Sequence, residues 1–136
     1  YLKEILDNLN LKSFLKTSGG KGYHICIPFK NNLTWKKFYK ISEDIANIIE
    51  KTHSELFTTN NRKEKRKNKI FIDYLRNQKS ATFVAPYSVR LRKNAPVSMP
   101  IAWNELDKIK PNEITIYKAI KRLKKKDPWK EFFTSN

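Results

Sequence analysis

All three glycines of this 136-residue chain lie close together, at positions 19, 20 and 22 of the segment TSGGKGYH that runs from Thr17 to His24. After them, apolar residues alternate with His24, Cys26 and Pro28; these apolar residues are Tyr23, Ile25, Ile27 and Phe29. Alternation with a period of two predicts a strand buried on one face, with His24 on the opposite face. Residues 11–17 predict a short strand before the glycines, so the turn joins two strands and begins a β-sheet.

Helical periodicity flanks this turn on both sides. Residues 1–9 predict the end of an amphipathic helix, and a second helix is predicted after an Asn31-Asn32 turn, from Thr34 as N-cap to near Thr52. Further along, the pattern predicts a strand around Asp73, a strand over 97–101, a short helix over 103–108 and a helix over 115–126 that Pro128 ends. Helices interleaved with strands predict an α+β fold, with a mixed or antiparallel sheet flanked by helices. A chain of this length has no room for two full domains.

The chain is strongly basic, with 29 Lys and Arg against 13 Asp and Glu and a net charge of +16. Such a charge favours a polyanionic partner, and nucleic acid is the first candidate, although a Lys-rich proteome also produces basic proteins without such a partner. The run TTNNRKEKRKNK, residues 58–69, contains no apolar residue and predicts an exposed loop or a frayed helix end. Within it we predict nucleic-acid contacts for five cations, the alternative being a solvated surface; they are Arg62, Lys63, Lys65, Arg66 and Lys67.

Cysteine content and hydropathy exclude several classes of protein. A single cysteine, Cys26, excludes an internal disulfide, and with two histidines it is too few for a structural zinc site. No apolar run approaches the roughly 18 residues of a membrane span, so we predict a cytoplasmic protein. The chain begins at Tyr1 on a helix already under way, and we therefore expect the natural protein to extend upstream.

The glycine turn is a candidate phosphate site. Glycines allow an anion to approach the backbone, consecutive N–H groups can form an anion-binding nest, and Lys21 and His24 add donors. The turn is not a Walker A loop, because Gly22 rather than Ser or Thr follows Lys21. The alternative is an ordinary hairpin turn. Arg90 suits bidentate phosphate contacts, or is simply solvated.

Asp73 is the second candidate. It lies in the apolar run from Ile70 to Leu75, where burial of a carboxylate is costly unless a cation, a metal or a hydrogen-bond donor faces it. A metal or phosphate partner is the expectation that follows in so basic a chain.

Two segments, TSGGKGYH and IFIDYLRNQKSATFVAPYSVR, together resemble the polymerase (primase-like) domain of bacterial DNA ligase D, of the archaeo-eukaryotic primase superfamily. The resemblance runs from Leu2 to about Phe132, and it implies that residues 1–136 are the C-terminal part of such a domain. The implied fold is half of a primase-like palm related to the RNA-recognition motif.

The resemblance also implies roles for individual residues. The turn residues Ser18, Gly19, Gly20, Lys21, Gly22 and His24 match the family motif that binds the incoming nucleoside triphosphate. Asp73 matches a catalytic ligand of manganese or magnesium, and Arg90, in the segment Pro-Tyr-Ser-x-Arg, matches a phosphate-binding arginine. Asn68 stands where many relatives have glycine.

The implied activity is nucleotidyl transfer, with a preference for ribonucleotides, at DNA ends in non-homologous end joining. The implied partners are DNA, Ku and a fused or separate ATP-dependent ligase domain, in a nucleoid-associated protein. Family members carry an upstream Asp-x-Asp that this chain lacks, so its two-metal site is incomplete and we predict that the fragment alone is inactive. Truncation is favoured over separate encoding or degeneration. Two alternatives remain: a non-catalytic basic module that binds DNA ends, and a primase-like protein of a mobile element acting on single strands.

Overall fold

The computed structural model describes residues 1–29 and 33–135. The helices are α1 (Leu2–Asn8), α2 (Trp35–Thr52) and α3 (Ile116–Leu123), with short 3₁₀ helices at Lys63–Lys65 and Trp103–Glu105. The strands are β1 (Phe14–Thr17), β2 (Tyr23–Cys26), β3 (Phe57–Thr58), β4 (Ile70–Phe71) and β5 (Pro100–Ile101). The chain forms two compact units. The first unit comprises Tyr1–Leu2 and Asn31–Phe83, and the second comprises Lys3–Lys30 and Val84–Asn136.

The second unit contains an antiparallel sheet in the order β2-β1-β5. The predicted turn joins β1 to β2, with Thr17 opposite Tyr23 and Phe14 opposite Cys26. Both strands are shorter than predicted. β2 ends at Cys26, close to Pro28, which has no N–H group for a ladder hydrogen bond.

One face of this sheet packs on the core of the second unit, whose buried members are Leu15, Val97, Met99, Ile101, Ile114 and Ala119. Tyr23 and Ile25 pack against this core, so His24 lies on the other face of β2, as the alternation predicted. Two indole N–H groups satisfy backbone acceptors near β1: Trp103 donates to Ser13 O and Trp129 to Leu15 O.

The later elements of the second unit are shorter than the periodicity predicted. The strand predicted over 97–101 is reduced to β5, and the helix over 103–108 is the single 3₁₀ turn Trp103–Glu105. α3 ends at Leu123, where the run of lysines at 124–126 begins. Like charges in successive turns repel one another and disfavour continuation of the helix.

In the first unit, α2 begins where the sequence predicts. Thr34 is the N-cap, and its hydroxyl accepts the N–H of Lys37 at 3.3 Å. Ala46 and Ile49 are the buried members of the apolar side of α2. The predicted Asn31-Asn32 turn lies outside the described residues.

β3 and β4 form a parallel pair beside α2. The side chains of Thr58 and Thr59 donate hydrogen bonds to the Glu50 carboxylate, so this pair of strands is tied to the helix. Among residues 1–29 and 33–135, none of the helices has the length and apolar character needed to cross a membrane. The α+β class predicted from the sequence is confirmed.

Candidate functional site

The glycine turn is held by its own hydrogen bonds. The Ser18 hydroxyl oxygen accepts the N–H groups of Gly20 at 3.1 Å and Gly22 at 3.3 Å. The N–H of Ser18 donates to Gly22 O, and the N–H of Gly19 donates to Pro111 O. These amides therefore have partners within the protein, and the predicted anion-binding nest is wrong for them. An anion at this turn has to be bound mainly by side chains.

Arg90 crosses directly over Gly19. Gly19 has a φ of +64°, and a Cβ at this position would lie 2.5 Å from Arg90 Cγ and 3.4 Å from Pro96 O. Only glycine combines this backbone conformation with so close an approach. At Gly20 a Cβ would lie 3.7 Å from Arg92 Cζ, whereas at Gly22 it would meet no atom within 4 Å. Two arginine side chains thus lie beside one end of the turn, and its other end, next to the exposed Lys21, is open.

Residues 84–98, here called the Arg90 loop, hold Arg90 in this position. The N–H of Arg90 donates to Pro96 O at 2.8 Å, and Val89 and Val97 form a β-bridge. Near its base, the N–H of Tyr87 donates to Ser98 O and the N–H of Ser98 donates to Ser88 O. The loop is therefore an ordered structure that fixes where the arginine side chain begins.

Lys16 is a site residue that the sequence reasoning did not identify. Its side chain is fully buried, and Nζ donates to Val84 O at 2.9 Å and to Ser98 Oγ at 2.6 Å. Ser98 Oγ in turn donates to Thr17 O. Lys16 lies opposite His24 in the β1–β2 register, and directly opposed residues share one face of a sheet. The face that carries His24 therefore also carries a buried amine.

Charge and burial both change the pKa of the Lys16 amine. Burial lowers the pKa of Lys16 to about 8, the nearby Cys26 acts in the opposite direction, and the positive charge of Arg90 lowers it further. Burial also raises the pKa of the Cys26 thiol. The pKa of Lys16 is thus sensitive to a charge placed near Arg90.

Asp73 differs from its predicted setting. β4 ends at Phe71, and Asp73 follows in irregular chain with an exposed side chain whose Oδ1 accepts the N–H of Leu75 at 3.3 Å. The desolvation argument for this carboxylate was therefore wrong, because an apolar run does not show which of its residues pair with a neighbouring strand. Asp73 belongs to the first unit and the turn to the second. The assignments of Asp73 and of the turn residues to metal and nucleotide stay predictions.

The basic run is mostly solvated. Arg62, Lys63, Lys65 and Lys67 are exposed, as predicted, although Lys63–Lys65 form a 3₁₀ helix and Thr58, at the start of the run, is buried in β3. Arg66 differs, since its guanidinium donates to Asn60 O and Asn61 O and lies 3.8 Å from the centroid of the Phe71 ring. Asn68 has a φ of +65°, a conformation that glycine also adopts readily. The Asn-for-glycine difference is therefore compatible with the same loop shape.

Comparison with known proteins identifies the family. The family model described as the LigD primase-polymerase domain matches residues 1–129. The chain belongs to this family. The resemblance predicted from the two segments is confirmed.

Individual relatives agree with this assignment. The chain is 36% identical over 132 residues to the multifunctional non-homologous end joining protein LigD of Pseudomonas aeruginosa, covering 94% of the chain and 16% of the relative. It is 32% identical over 135 residues to the bifunctional protein LigD of Bacillus subtilis, covering 97% of the chain and 22% of the relative.

A solved structure shows the same fold. The polymerase domain of Mycobacterium tuberculosis ligase D in complex with DNA superposes with a TM-score of 0.83 at 29% identity, covering 90% of this chain and 42% of that one. The chain thus has the fold of part of a LigD polymerase domain, and it spans less than half of that structure and under a quarter of the two relatives.

Proposed function

We propose that this chain supplies the triphosphate-binding part of a nucleotidyltransferase that adds nucleotides, with a preference for ribonucleotides, to DNA ends in non-homologous end joining. The observation that carries the proposal is the position of Arg90 over Gly19, which joins two separately predicted phosphate-binding segments in one unit. Membership of the LigD primase-polymerase family and the similarity to non-homologous end joining proteins support the reaction class.

The binding chemistry follows from the side chains around the turn. A triphosphate carries several negative charges, and Arg90, Arg92 and Lys21 offer guanidinium and ammonium donors beside the turn. The Ser18 oxygen already accepts two amides, which leaves its hydroxyl proton to donate. In this proposal these groups stabilise charge that builds up on the phosphates during transfer, and His24 adds a further donor.

The metal assignment is a separate part of the proposal. Within residues 1–29 and 33–135, no three His, Cys, Asp or Glu side chains lie close enough to hold one metal ion. The described residues therefore do not fit a two-metal site, and no reaction step follows from them. We propose Asp73 as the carboxylate that this chain contributes to a manganese or magnesium site, with the remaining ligands on the Asp-x-Asp strand of the intact domain. The chain alone is then inactive.

DNA is the proposed macromolecular partner. The net charge of +16 and the exposed cations Arg62, Lys63, Lys65 and Lys67 support contacts with the phosphate backbone. The solved relative was determined in complex with DNA. Ku and a fused or separate ligase domain are proposed as further partners, in a nucleoid-associated protein.

Primer extension by the full-length protein tests this function. We expect Asp73→Asn to slow extension by about 100-fold or more, since loss of a metal-ligating charge removes transition-state stabilisation. Asp44→Asn is the matched control, because Asp44 is an exposed acid of the same unit that pairs with Lys40 on α2. Extension by Asp73→Asn at the parental rate would show that the metal assignment is wrong.

The alternative function is a basic module that binds DNA ends without catalysis. The high charge and the lack of an acidic cluster among the described residues favour it. DNA binding that is independent of nucleotide, and unchanged in both His24→Ala and Asp73→Ala, would support this alternative.

A further inference from the structure

Lys16 is a buried amine that the proposed reaction does not use directly. Its side chain is fully buried on β1, two residues before the turn, and its Nζ bonds both ends of the Arg90 loop, Val84 O at the start and Ser98 Oγ at the end. These two bonds close the base of the loop against the strand that leads into the turn.

The geometry of the turn leaves little tolerance for movement of this loop. Arg90 Cγ already lies 2.5 Å from the position that a Cβ at Gly19 would occupy, so the loop approaches the turn as closely as glycine permits. A shift of the loop base would move Arg90 relative to Ser18 and Lys21. Bonds that fix the base therefore also fix the arginine.

We infer that Lys16 is a positioning residue that holds the Arg90 loop on the glycine turn, and that its ammonium form strengthens anion binding there. This inference rests on the proposed nucleotide function of the turn. An apolar side chain of similar length would fill the same space but leave Val84 O and Ser98 Oγ without this donor, at the cost of an unsatisfied buried acceptor.

The charged groups around Lys16 determine whether a bound anion raises or lowers the pKa of this lysine. Arg90 lies near enough to lower the pKa of Lys16, and on β2 Cys26 acts in the opposite direction while His24 stands opposite in the register. β5 places the uncharged Pro100 opposite Lys16. A polyanion bound by Arg90 would favour the protonated amine and raise its pKa, so binding is strongest below the pKa of the free protein, about 8, and weakens as the pH rises through that value.

Hydrogen exchange on the intact chain tests the positioning role without nucleotide. We expect Lys16→Met to accelerate exchange of the Arg90 and Ser98 amides, which are bonded within the loop, by about tenfold or more, while amides of α2 in the first unit and of α3 stay protected. Equal acceleration in β2 and α3 would make Lys16 a general core residue and would overturn the inference.

The pH profile of ATP binding, from about pH 7 to 9, tests the role of the charge. We expect parental affinity to fall by up to about tenfold per pH unit above the pKa of Lys16, and the weaker affinity of Lys16→Met to be nearly independent of pH. Lys21→Met is the matched control, since it removes an exposed lysine of the turn and should weaken binding while keeping the parental pH profile. Cys26→Ala removes a group that raises the pKa of Lys16, so this variant should keep a pH dependence but with its midpoint moved to lower pH.

The two experiments distinguish a failure of the Lys16 inference from a failure of the proposed nucleotide function. A parental pH profile in Lys16→Met would overturn the inference about charge while leaving the nucleotide site in place. Absence of ATP binding by the parent at every pH would overturn the proposed function instead, and the hydrogen-exchange result would still decide whether Lys16 positions the loop.

Discussion

Replacing Gly19 by alanine is the sharpest test of the arrangement at the turn. The backbone φ of +64° costs an L-residue about 1 to 2 kcal/mol relative to glycine. The new Cβ would also lie 2.5 Å from Arg90 Cγ, an atom near the base of the side chain that moves only with a change of rotamer or backbone. Displacing it adds about 1 kcal/mol, so we expect a loss of about 2 to 3 kcal/mol.

Nucleotide binding should suffer as well as stability. If Arg90 leaves its position over the turn, the charge-assisted hydrogen bonds that we propose between it and phosphate are lost, and nucleotide affinity should fall by about 10- to 100-fold. Thermal unfolding and nucleotide titration of the same variant measure both effects. The unfolding midpoint should fall by roughly 5 to 10 °C.

Two comparisons make this prediction refutable. Gly22→Ala places a Cβ where no atom lies within 4 Å, so its cost in stability should be small. In an Arg90→Ala background the steric part of the Gly19→Ala cost should disappear, because Cγ is absent, and the two substitutions should couple by about 1 kcal/mol. Equal destabilisation by both glycine variants, or strict additivity with Arg90→Ala, would refute the reasoning.

Two further substitutions test the fold of the individual units. Thr34→Ala should destabilise α2 by about 1 kcal/mol in denaturant unfolding, because the hydroxyl that accepts the Lys37 N–H is lost, whereas Thr34→Ser should retain most of that stability. Hydrogen bonds from Arg122 hold the pKa of Glu105 below its ordinary value of 4.5, so this pair stabilises the protein above that pH and the contribution disappears as the pH falls through the lowered pKa. Glu105→Gln should therefore cost about 1 to 2 kcal/mol near neutral pH and should flatten the acid limb of the stability profile; an unchanged acid limb would contradict this.

Local signals in the sequence predicted the elements whose partners are nearby. The cap of α2 depends on Thr34 and Lys37, which are three residues apart, and the hairpin depends on adjacent strands joined by glycines. Both features were recovered. The family assignment also followed from short segments, because the order and spacing of the residues in these two segments carry the resemblance.

Features that depend on distant partners were missed. Lys16 reads as an ordinary lysine in a strand, since its acceptors on Val84 and Ser98 lie 68 and 82 residues away in the chain. The run around Asp73 predicts a buried strand, yet its pairing with β3 covers Ile70 and Phe71 and ends with the Ile72 N–H, which donates to Thr58 O. Apolar composition indicates that a segment can form a strand. Tertiary contacts determine how many of its residues pair with a neighbouring strand.

The internal hydrogen bonds of the turn determine which parts of the site can change in sequence without a change in its main chain. Because Ser18, Gly19, Gly20 and Gly22 already satisfy their amides within the fold, these amides do not need an anion as their partner. The conformational entropy of the turn residues is then lost when the protein folds, and not when a ligand binds. A different side chain at position 21 would therefore change the affinity for an anion without a change in the main chain beneath it.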